Sequence, residues 1–223
     1  MNCMMPSRRR AGNRISHAWI YKRVTLNTKG DTSVGAHLCP WYVGYLLANP
    51  LRRLLQSPER ILSTYVKVGM TVLEIGPGMG FFSLPMARLV GESGRVLCVD
   101  VQERMIRALK KRAAKAGLSE RIEARVCTST SLQIDEFAEN IDFALVFAVV
   151  HEVPDAKKLL SEIYTLLRND GILMLSEPKG HVTQEDFEST LSIARGLGFK
   201  ILESPEVRRS HSVVFQKTRM EAG

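Results

Sequence analysis

The chain has 223 residues, 45% hydrophobic and 24% charged, which suits one main globular domain with an ordinary core. Its formal net charge of +8 gathers at one end: Arg8, Arg9, Arg10, Arg14, Lys22, Arg23 and Lys29 precede the first acid, Asp31, leaving 24 basic against 23 acidic residues. A near-neutral body argues against a nucleic-acid-binding face on the folded part.

The basic segment, residues 1–33, has no continuous apolar stretch of the kind a secretory signal requires. It reads as a flexible tail or a start assigned too far upstream, with an organelle transit peptide as the alternative to a cytoplasmic location. Residues 34–67 read as a helical flank or lid, because WYVGYLLANPLRRLLQSPERILSTYV over 41–66 carries two amphipathic patterns divided near Asn49 and Pro50. From residue 68 to 223, strand and helix signals alternate. TVLEIG leads to a helix in FFSLPMARLVG, RVLCVD to a helix in ERMIRALKKRAAKAG, and RIEARVC to a Ser/Thr-rich loop. IDFALVFAVV follows as a strand over 141–150, then the helix DAKKLLSEIYTLLR over 155–168, with Asp155 at its start and Gly171 after its end. The strand ILMLSEP, a helix in TQEDFESTLSIARGLGFK and two strands, KILESPEV and SVVFQK, complete the chain, the last two joined by a basic turn, Arg208 to His211.

Continuous apolar strands separated by helices of 10 to 15 residues predict an α/β fold: a doubly wound, mostly parallel sheet with helices on both faces and an antiparallel C-terminal edge hairpin. The longest apolar run, FALVFAVV at 143–150, is far shorter than the roughly 20 residues that span a bilayer, so no membrane segment is expected. Cys3, Cys39, Cys98 and Cys127 are scattered, which suggests reduced thiols and neither a disulfide frame nor a metal site. The cations of the helix from Glu103 read as a solvated face.

The chemistry gathers at VLEIGPGMGFF. A strand ending in Glu74 opens into Gly76, Gly78 and Gly80. A dinucleotide fingerprint needs a small residue three positions after the second glycine, where Phe81 stands, and no Lys-Ser or Lys-Thr follows to make a phosphate loop. Glu74 beside the turn would repel a pyrophosphate and favour a cationic ligand. Asp100 ends the next strand, where a carboxylate can accept hydrogen bonds from both hydroxyls of a ribose.

These residues resemble the class I methyltransferases that use S-adenosylmethionine. Glu-Ile-Gly-Pro-Gly-Met-Gly matches their first motif, VDVQERMIRALKKRA their second, and IDFALVFAVVHEVPD the motif of their fourth strand, the resemblance covering about residues 68 to 217. It implies S-adenosylmethionine as cofactor, held by Glu74, Gly76, Pro77, Gly78, Gly80, Asp100, Val101, Met105, Thr128, Ser129 and Phe147. Where the family often has an Asp that bonds adenine, the segment here is Cys127, Thr128, Ser129, so Thr128 offers only a hydroxyl.

A sulfonium donor is already activated, so the protein has to align a nucleophile and, where needed, remove its proton. His151, Glu152 and Glu177 are the candidate catalytic residues, with Lys179 and His181 nearby in SEPKGH. His151 is favoured because imidazole titrates near neutrality, against the plain alternative of a histidine bonding a loop carbonyl. Glu177 could equally hold Lys179 or a helix start. His37, Cys39 and Trp41 are a weak metal or substrate signal, and no Asn-Pro-Pro-Tyr follows the fourth strand. The reading is methyl transfer to a small-molecule acceptor, without membrane or nucleic acid as partner and with oligomeric state open. The alternatives are an RNA or protein methyltransferase and a non-catalytic S-adenosylmethionine-binding module.

Overall fold

The computed structural model describes residues 57–218. The basic segment to residue 33, His37, Cys39, Trp41 and the first expected flank helix lie outside the described residues. Of the second flank helix the described part is a short turn of helix, α1 (Pro58–Leu62), with Pro58 in its first turn and Leu62 fully buried.

Seven strands form one sheet: β1 (Thr71–Ile75), β2 (Arg95–Asp100), β3 (Ile122–Val126), β4 (Ile141–Phe147), β5 (Leu167–Pro178), β6 (Phe199–Glu203) and β7 (Ser210–Lys217). Their order is β3-β2-β1-β4-β5-β7-β6, parallel from β3 through β5, with β7 antiparallel to both its neighbours. The doubly wound architecture and the antiparallel edge are therefore as the sequence predicts.

Helices α2 (Ser83–Leu89), α3 (Glu103–Lys115), α4 (Ala156–Leu166) and α5 (Gln184–Gly196) connect the strands. The central strands are buried on both faces, which is why β1 and β2 show no polar alternation. Leu73, Leu97, Leu160, Ile163 and Leu175 belong to one core layer; Val72, Val96, Met86, Leu109 and Phe143 belong to the other. Fully burying one such side chain contributes roughly 1.5–3 kcal/mol. Asp155 caps α4, its carboxylate accepting from the Lys158 amide at 2.9 Å, and Thr183 with Asp186 forms a capping box at the start of α5.

Three boundaries differ from the sequence expectation. β4 ends at Phe147, three residues early, because Ala148 turns into the left-handed region (φ 59°) and gives its amide to Ser176 O at 2.7 Å. α4 passes directly into β5 at Leu167, so Gly171 does not follow a helix end. Asp170 takes the positive φ (61°); Gly171 is needed because a Cβ there would lie 2.8 Å from Arg168 O and 3.1 Å from Ile141 O, beside the register shift between β4 and β5. Finally, Ser204–Val207 leave the sheet where Pro205 has no amide to contribute, while Ser210 and His211 belong to β7 and not to the turn. Among the described residues no helix is long and apolar enough to cross a membrane.

Candidate active site

The strand order reverses between β1 and β4, and ligands of open α/β sheets collect outside the carboxyl ends of the strands at such a point. The glycine turn sits there. Gly76, Gly78 and Gly80 all have positive φ (67°, 52° and 85°), but for different local reasons. A Cβ on Gly76 would meet Val149 Cγ2 at 2.6 Å and one on Gly80 would meet Leu109 Cδ1 at 2.6 Å, whereas one on Gly78 meets nothing within 4 Å. The outer glycines let the chain pack closely; the middle one faces open space. Pro77 O accepts the Gly80 amide at 2.9 Å, and the Arg112 guanidinium of α3 bonds Met79 O. Arg112 is thus one of the α3 cations that is not simply solvated, a role its sequence position does not reveal.

The two acids behave differently. Asp100 spans the turn: one carboxylate oxygen accepts from the Gly78 amide at 3.3 Å and the other from Gln102 N at 2.8 Å. Burial raises its pKa against the pull of those two amides. Glu74 is only 3% exposed and is bonded by Ser83 Oγ of α2, with Cys98 Sγ at 3.8 Å. Burial lifts its pKa to about 7, the Ser83 and Cys98 contacts opposing and the Asp100 charge assisting. The sequence suggests Glu74 as a carboxylate beside the ligand; the fold pairs it with Ser83 at the start of α2 and with Cys98 of β2.

Around the turn, Phe147 packs on Phe82 (ring centroids 4.7 Å apart), Val101 is half-buried and Met105 is buried within the first turn of α3. Ser129 is exposed, and Thr128 is occupied by its own turn, its hydroxyl accepting from Ser131 N at 3.0 Å and donating to Ser131 O at 3.2 Å.

On the other side of the switch point, His151 and Glu152 lie on a 3₁₀ turn, Val150–Glu152, one step beyond β4. Glu177, near the end of β5 and 2% exposed, accepts the amides of Val149 (3.1 Å) and Val150 (2.9 Å) with one oxygen and binds His151 Nδ1 with the other. It therefore holds the start of that 3₁₀ turn as well as His151, and not Lys179. The His151 ring is 24% exposed, has Glu152 Oε1 3.9 Å from Nε2, and lies beside the His181 ring at 5.6 Å. Burial opposes its charged form, but the Glu177 hydrogen bond and the charges of Glu177 and Glu152 outweigh that and raise its pKa.

A family model described as a methyltransferase domain matches residues 66–206. The chain belongs to the class I S-adenosylmethionine-dependent methyltransferases. It is 30% identical over 156 residues to the ribosomal protein L11 methyltransferase of Dictyoglomus turgidum, covering 70% of this chain and 47% of that protein. It is 28% identical over 127 residues to the demethylmenaquinone methyltransferase of Lactobacillus johnsonii, covering 56% and 51%. The chain thus spans about half the length of these relatives. Among solved structures, an S-adenosylmethionine-dependent methyltransferase of Aquifex aeolicus superposes with a TM-score of 0.72 at 25% identity, over 81% of this chain and all of that one.

The residues present fit the methyltransferase cofactor. The open face of Gly78 admits a ligand against the backbone, and the Asp100 carboxylate stands at the end of β2 beside it.

Proposed function

We propose that this protein is an enzyme transferring a methyl group from S-adenosylmethionine to a small organic acceptor, with His151 receiving the acceptor's proton. The observation that carries this reading is the Glu177–His151 pair at the carboxyl edge of the sheet. The cofactor is held by the Gly76–Gly80 turn and Asp100, and when bound supplies a methyl group already activated on a sulfonium. The protein's own work is orientation and proton handling. With Glu177 accepting from Nδ1, Nε2 of His151 is the nitrogen that takes a proton. Phe147, the last residue of β4, packs on Phe82 just beyond the glycine turn.

A small acceptor is supported by the near-neutral charge of the chain beyond residue 30 and by a relative named for demethylmenaquinone. A cytoplasmic location is our reading of the free, buried thiols of Cys98 and Cys127. A protein acceptor is the second reading, favoured by the relative named for ribosomal protein L11. Methyl transfer from labelled S-adenosylmethionine, screened over small-molecule classes and over ribosomal protein, separates the two. Labelling confined to protein would overturn the first.

A further inference from the structure

We propose that the acceptor carries an anionic group, a carboxylate or a phosphate, and seats it in the cavity between α5 and the β6–β7 loop. This rests on reading the protein as a small-molecule methyltransferase and names the class of molecule it takes. The cavity is an open groove of about 570 Å³, within the size range of small-molecule sites. β7 is antiparallel to both β5 and β6, so the β6–β7 loop over 204–209 emerges on the same edge as the carboxyl ends of the parallel strands. The cavity is therefore on the reactive edge of the sheet.

Two contacts tie it to the His151 pair. His211, which lines the cavity and stacks on Phe187 of α5 at 5.2 Å, is the β7 residue in register with Glu177. Lys179 gives its amide to Arg209 O at 3.0 Å, and the same short loop that carries Lys179 into the cavity lining brings His181 against His151. The wall thus passes from the proton-handling pair into the cavity along β5, β7 and the loops at their adjoining ends.

The charge of the lining points to an anion. Lys179, Arg208 and Arg209 all contribute, and among the described residues none of the three makes an ion pair. Of the two acids in the lining, Glu188 accepts from Gln184 Nε2 at 2.8 Å, and Glu206 stands on the loop itself. Three cations against two acids leave the cavity net positive, and charge-assisted hydrogen bonds from Lys and Arg are the stronger kind. Arg209 also holds a left-handed backbone (φ 59°), a conformation costly for a residue with a side chain. Phe187 and Leu191 give an apolar wall for the body of the molecule.

The test is calorimetric binding of benzoate, phenyl phosphate and the neutral benzamide to the full chain, with S-adenosylmethionine titrated into the same samples. At least one anion should bind tenfold or more tightly than benzamide. Lys179→Gln and Arg209→Gln should each remove most of that preference, and Lys179→Arg and Arg209→Lys should retain it. Phenyl phosphate alone binding assigns a phosphate, and benzoate as well assigns any carboxylate or phosphate. Equal binding of benzamide, or a preference untouched by both Gln variants, overturns the proposal. So does a parallel loss of S-adenosylmethionine affinity, which would put these cations in the cofactor pocket. Failure of the wild-type chain to bind S-adenosylmethionine overturns the methyltransferase reading instead, while the anion preference still decides the cavity.

Discussion

Glu177 grips His151 from the neighbouring strand, binding Nδ1 with one carboxylate oxygen and fixing the turn that carries His151 with the other. Replacing Glu177 with Gln removes the main upward pull on the histidine's pKa. A base must be neutral to act, so the acid limb of the kcat profile should move to lower pH, while kcat at its plateau falls about tenfold or more as the ring loses its orientation. An unshifted limb with an unchanged plateau would reduce Glu177 to a support for the turn.

His151→Ala should lower turnover by about 10²-fold, the usual contribution of a general base, with S-adenosylmethionine affinity nearly intact. Saturation kinetics and calorimetry separate the possibilities. A drop in affinity without a drop in turnover would make His151 part of the cofactor pocket.

The glycines of the turn should respond differently. Gly78→Val should abolish cofactor binding with only the modest loss of stability that a left-handed residue brings, about 1–2 kcal/mol. Gly80→Ala should cost more in melting temperature, because its Cβ would lie 2.6 Å from Leu109 Cδ1. Equal melting points for the two variants, or wild-type affinity in Gly78→Val, would contradict this division.

Glu74 predicts a pH dependence of stability. Its pKa is raised from 4.5 to about 7, so its contribution is fully present below 4.5 and is lost as pH rises through 7. The full effect is about 3 kcal/mol. Glu74→Gln stays neutral, so its stability relative to wild type should climb between pH 4.5 and 8 in the absence of cofactor. Denaturant melts at several pH values measure it; a constant difference would mean Glu74 is ionised throughout.

Deleting residues 1–33 should leave S-adenosylmethionine affinity and melting temperature nearly unchanged, since the basic residues there lack a periodic apolar pattern. A fall of many degrees would show that the segment packs on the domain.

The amino-acid sequence by itself determined the layered α/β fold, because strands buried on both faces must be apolar throughout and helices packed on a sheet must repeat their apolar residues at helical spacing. It also marked the glycine turn and Asp100, since positive backbone angles and a strand-end acid leave local signatures. What it did not determine was how side chains distant along the chain divide the work. Glu74 and Asp100 look equivalent in sequence, yet α2 brings Ser83 over one and the glycine turn brings an amide to the other. The end of β4 at Phe147 depends on Glu177, 30 residues further on, accepting the amides of Val149 and Val150. The cationic cavity draws Lys179 and Arg209 from loops on two strands that pair only in the folded sheet. Such relationships rest on hydrogen bonds and charges between strands adjacent in space, and the periodicity of a single segment carries no record of its neighbour.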